Sequence, residues 1–146
     1  MSGQENVEDK ALEASGSSEA HGGRSFSEAY GHFWLVPLSF MSKVWHDKRI
    51  SLPIRAGIAY HLGAIAGINE MLLDASSFSQ AEGCLNKPEN VKQYTEIMSK
   101  LKTLYEDYIN REKVYAIDLA EDIEGILVDL LEFARGVMRN SKYEGC

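Results

Sequence analysis

Cysteine is scarce. The chain has two cysteines in 146 residues, Cys84 and Cys146. Neither has the close Cys or His neighbours of a zinc site, and two separated thiols read most simply as free ones in a reducing compartment. Proline is scarce too, with 3 residues, Pro37, Pro53 and Pro88, so long helices can run without interruption. Basic charge is short, with 15 Lys and Arg against 22 Asp and Glu and a formal net charge of −7. A surface of that sign repels phosphate, so a nucleic-acid partner is not expected. The one long apolar stretch, Ala56 to Ile68, falls short of the roughly 20 residues of a membrane span and contains His61. Residues 1 to 23 hold no apolar run after a basic start, so no secretory signal is read and a cytoplasmic location is expected. G-x-S-x-G and glycine-rich phosphate loops are missing as well, which removes the usual frames for nucleophilic and nucleotide chemistry.

What is present is helical periodicity. Residues 1–25 are rich in Glu, Ser and Gly and read as a disordered acidic tail. Residues 26–146 read as one domain, an all-α bundle of about four helices. Its centre is Ile54 to Ala75, apolar nearly all round, which marks a helix buried on most sides. Ala59, Gly63 and Gly67 recur every four residues there and form a ridge for close packing. Ser51 is the expected cap and Pro53 suits the first turn.

Before it, Pro37 predicts a helix over Leu38 to Trp45 with at most a short turn ahead. Ser76 to Lys87 reads as a loop, with Asn86 capping the helix that starts at Pro88. Val91, Tyr94, Met98, Leu101, Tyr105 and Tyr108 then form a heptad stripe. A second stripe, Ala116, Ala120, Ile123, Leu127, Leu130, Ala134 and Val137, is out of phase with the first. The phase break near Asn110 to Lys113 fits a hairpin or one long helix. In the second case the stripes at 88–110 and 114–138 would be buried by homodimerisation. Fraying is expected from Asn140.

Candidate functional residues fall in two groups. Tyr30, Phe33, Trp34 and Trp45 belong to an aromatic-rich stretch that serves either the core or a partner-binding face. Arg55, His61, Asn69, Glu70 and Asp74 are the strongly polar residues of the central helix, and His61, Glu70 and Asp74, with Tyr60, form the second candidate site. A buried histidine bonded to a backbone carbonyl explains His61 without function. The spacing of Arg55 and His61 resembles the Arg-x4–6-His of HEPN-type ribonuclease bundles, but at 100° per residue the two lie on different faces. Glu121-x-x-Glu124 resembles half of the metal motif of MazG-type pyrophosphohydrolases, whose second half is missing. Asp118 and Asp122 face away from the apolar stripe and read as a solvated face.

No catalytic residue, metal site or cofactor is therefore expected. The sequence reads best as a non-catalytic helical interaction module, of adaptor, chaperone, antitoxin or toxin-immunity type, that binds another protein through an aromatic or acidic surface. The alternative is a small helical enzyme or ligand-binding bundle with a polar site near His61, Glu70 and Asp74.

Overall fold

A computed structural model describes residues 25–143. The disordered tail expected over 1–25 lies outside that range except for Ser25. Among the described residues all regular structure is helical: α1 (Phe26–Phe33), α2 (Leu35–Trp45), α3 (Leu52–Ala75), α4 (Ser79–Leu85), α5 (Pro88–Ile109) and α6 (Ala116–Tyr143). The chain is an all-α bundle, and no helix among the described residues is long and apolar enough to cross a membrane.

α1 begins with a capping box. Ser25 Oγ accepts from the Glu28 amide at 3.2 Å and Glu28 Oε1 accepts from the Ser25 amide at 3.0 Å, so two otherwise orphaned donors are satisfied. The break at Trp34 traces to Pro37, which has no N–H for the Phe33 carbonyl and crowds it. The short turn expected before Pro37 is thus a two-turn helix, and α2 begins at Leu35, with Pro37 inside its first turn. Ser51 does stand at the start of α3, but its side chain makes no capping bond, and Pro53 occupies the first turn. The expected loop at 76–87 contains α4. Asn86 does not cap α5, since Lys87 holds that position. Asn86 Oδ1 instead accepts from the Phe26 amide at 2.7 Å, and its amide donates to the Glu82 carbonyl at 3.0 Å. That ties the start of α1 to the α4–α5 turn. Helix α6 runs past Asn140 to Tyr143.

The 110–115 segment is not helical, so the two stripes belong to a hairpin rather than to one long helix. α2, α3, α6 and α5 surround the core in that order, each packed on its neighbours, with α1 against α5 and α4 against α6. Arg55 meets Trp45 and Gly63 faces Met41, which sets α2 and α3 antiparallel. Tyr94 meets Phe133, which brings the second half of α6 beside the start of α5. Both stripes turn inward: Val91, Tyr94, Met98, Leu101, Tyr108, Ile123, Leu130, Ala134 and Val137 are buried. One chain therefore covers both surfaces that a dimer through 88–110 and 114–138 would have used.

α3 and α5 lie across the core from each other. Tyr94 Oη donates to Asn69 Oδ1 at 2.9 Å in that space, with both residues essentially out of solvent. The rings of Phe26, Phe33 and Phe133 surround Tyr94 at centroid distances of 4.8, 6.4 and 6.1 Å. Burial pushes the Tyr94 phenol well above its ordinary value, so it stays a neutral donor.

At the opposite end of the bundle, Asp47 and Arg49 join two loops. Arg49 donates to Asp47 Oδ2 at 2.8 Å and, through Nη1, to the carbonyls of Arg111 and Glu112 at 3.0 and 2.8 Å. Tyr108 Oη donates to Asp47 Oδ2 at 2.6 Å. The Arg49 hydrogen bond, with help from Tyr108, holds the Asp47 carboxyl well below the usual carboxylate range, while burial and Asp47 raise the Tyr108 phenol.

Two predictions follow from these contacts. Tyr94→Phe leaves a buried amide oxygen unsatisfied and should cost about 1–3 kcal/mol in urea unfolding. Adding Asn69→Leu should recover part of that loss, because the double variant buries no orphaned polar atom. A carboxylate with a depressed folded-state pKa stabilises the fold above its unfolded value of about 4 and loses that effect as pH falls toward the folded one. The stability gap between the wild type and Asp47→Asn should therefore be widest near neutral pH and shrink below about pH 4, as read by denaturant titration across pH.

Candidate functional site

The aromatic stretch divides between core and surface. Phe26, Phe33 and Phe40 are buried, so Phe33 packs in the core and is not part of a binding face. It stacks edge-on with His32 at 4.7 Å. Its neighbour in sequence, Trp34, is 40% exposed, and Trp45 is 46% exposed. Eleven residues at 100° each return to nearly the same direction, so the two tryptophans share one flank of α2. Leu38 and Met41 lie between them on that flank, both part-exposed.

The flank borders α3. Arg55 Nη1 donates to the Trp45 carbonyl at 2.9 Å, and its guanidinium lies 6.0 Å from the Trp45 ring centroid. That spacing is within reach of a cation–π attraction. A Cβ on Gly63 would meet Met41 Sδ at 3.9 Å. Gly67, in contrast, is exposed and has nothing near its missing Cβ, so the expected small-residue ridge seats a neighbour at Gly63 and not at Gly67. Nor is α3 buried on most sides. Ala56, Gly57, Tyr60, Gly67 and Met71 face outward, Tyr60 with 75% of its surface open.

The polar candidates on α3 do not converge. Nine residues separate His61 from Glu70, about 13 Å along the axis and half a turn around it. Glu70 accepts a hydrogen bond from the Tyr30 hydroxyl instead. Burial first, and then Glu70, push the Tyr30 phenol up to about 12. Tyr30 and Glu70 are thus brought together from the two candidate groups and tie α1 to α3. Asp74 is exposed and adds only its charge to the field at Tyr30. His61 is half-buried beside Tyr60, at a ring distance of 5.9 Å, and its Nδ1 has no hydrogen-bond partner, contrary to the satisfied histidine expected. Among the described residues no group of three His, Cys, Asp or Glu side chains is placed to hold a metal ion.

Cys84 is buried and disulfide-bonded rather than a free thiol.

Comparison with protein families, with curated proteins and with solved structures finds no match.

The division between core and surface has a direct consequence for stability. Phe33→Ala should destabilise the fold by about 3–5 kcal/mol, as buried aromatic truncations do. Trp34→Ala, one residue on, should cost about 1 kcal/mol or less, because its ring is not part of the core. Thermal or urea unfolding of the two variants side by side checks both.

Proposed function

We propose that this chain is a non-catalytic protein-interaction module that engages another protein through the flank of α2 and α3 carrying Trp34, Trp45 and Arg55. One observation carries the reading: tryptophans stand exposed at the N-cap and at the last residue of α2, eleven residues and so about three turns apart, with an arginine beside the second. Trp and Arg are enriched among interface hot spots, tryptophan because it buries a large rigid area with two χ angles to fix and arginine because its planar guanidinium makes several directed hydrogen bonds. Adaptors, chaperones, antitoxins and toxin-immunity proteins all act by such contacts, and the reading places the chain in that broad class. A homodimer through 88–110 and 114–138 is not part of it, since both stripes are already packed inside one chain.

The second reading, a small enzyme or ligand-binding bundle, rests on the unpartnered Nδ1 of His61. A ligand polar atom at that nitrogen, acceptor or donor according to the tautomer, would satisfy it.

Co-purification from the native host, with the wild type and the Trp34→Ala/Trp45→Ala variant in parallel, separates the two readings. The interaction reading expects a stoichiometric partner that the double variant loses while its helical circular dichroism is unchanged. A partner retained by the double variant overturns the tryptophan flank as the contact. A wild type that stays monomeric and alone, yet whose His61 resonance shifts with a small molecule in an NMR screen, overturns the interaction reading itself.

A further inference from the structure

The outer side of the α5–α6 seam is open. A groove of about 850 Å³ runs along it. Its apolar floor is the part-exposed Leu104 with the edges of the buried Ile97 and Phe133, and Glu96, Asp129 and Glu132 rim it as exposed carboxylates, with Asp107, paired to Arg111, at its end. None of the three carboxylates has a cation at ion-pair distance among the described residues. Lys100 is the one basic side chain in the lining. Beyond Leu104 and Asp107 the seam continues into a smaller cavity of about 250 Å³, where Arg111 and Lys113 offset Asp118 and Asp122. The strongly acidic part is therefore the stretch from Glu96 to Asp107, about 16 Å of helix, or three turns.

We propose that this stretch is a docking groove for a lysine- and arginine-rich amphipathic helix of a partner protein. The inference rests on the protein-binding reading above but uses a different surface, so the two can fail separately. An apolar floor between acidic rims fits a helix with apolar residues at i, i+3 or i+4 and i+7 and with cations on either side of that stripe. Charge excludes the other occupants. A second copy of this chain carries a net charge of −7, and in its one basic cluster Arg49 is engaged by Asp47 and Arg55 by the Trp45 carbonyl, which makes it a poor match for the rim. The chain's own first 24 residues hold five carboxylates against two basic side chains, the wrong sign for the groove. A basic helix gains on both counts, and steering by the acidic rim would make its association rate depend on salt.

The test is fluorescence anisotropy with a labelled leucine–lysine amphipathic helix of roughly 18 residues, long enough to fill the groove and fray at its ends. Its leucine–glutamate counterpart is the control. Both are titrated with the wild type, with the groove variant Glu96→Gln/Asp129→Asn/Glu132→Gln, and with a variant of equal charge change elsewhere, Glu82→Gln/Glu89→Gln/Glu124→Gln. The groove predicts saturable binding of the basic peptide alone, weakened at least about tenfold by the groove variant and less than about twofold by the other. No binding to the wild type, or equal weakening by both variants, overturns it. If the groove variant still takes its host partner while the Trp34→Ala/Trp45→Ala variant does not, the groove falls and the interaction reading stands. If both tryptophans are dispensable and the groove variant alone loses that partner, the groove stands and the tryptophan flank falls.

Discussion

A single hydroxyl–amide contact lies at the crossing of the two diagonal helices, and the bundle is arranged around it. Tyr94 donates to Asn69 where neither group can reach water. A polar pair in an apolar core is stable only when its atoms meet, so it penalises any axial slip of α5 against α3 more sharply than interchangeable leucines would. Three phenylalanines, from α1 and α6, close around the Tyr94 ring. The same contact thus sets the height at which four helices converge. Asn69 Nδ2 has no partner, so the amide accepts one bond in the core and leaves both N–H donors of its nitrogen unmet.

The fold uses most of its apolar pattern on itself. Both heptad-like stripes of α5 and α6 are consumed within the chain, and Phe26, Phe33 and Phe40 complete the core. What remains outside is uneven. The α2–α3 side keeps tryptophans, small residues and Tyr60 in the open, while the α5–α6 side keeps carboxylates above a shallow apolar floor. A bundle with chemically distinct sides can separate two contacts without a second domain, because rigid helices hold each set of side chains in register.

The architecture was legible from sequence where a long period met a clear terminus. α3 and α5 were foreseen nearly to their ends because Pro53 and Pro88 mark first turns and the apolar repeats run for five turns or more. α1 was missed although Ser25 and Glu28 carry the spacing of a capping box, since eight residues are too few for a period to stand out. α4 was hidden among Ser and Gly, residues that ordinarily mark loops. The candidate site was less legible. Period alone placed Trp34 and Phe33 in the same aromatic cluster, but a break at Trp34 decides which of two adjacent rings enters the core. The pairing of Tyr30 with Glu70 joins residues 40 apart and leaves no trace in spacing.

Arg49 grips the α5–α6 loop by its main chain, at the carbonyls of Arg111 and Glu112. Every amino acid offers the same carbonyl, so the anchor is blind to which side chains stand there. Positions 111 and 112 are thereby freed to vary so long as the backbone keeps its path, whereas Arg49 and Asp47 are not. The loop at that end of the bundle is a place where new surface chemistry can be tried over evolutionary time without loosening the helices beneath it.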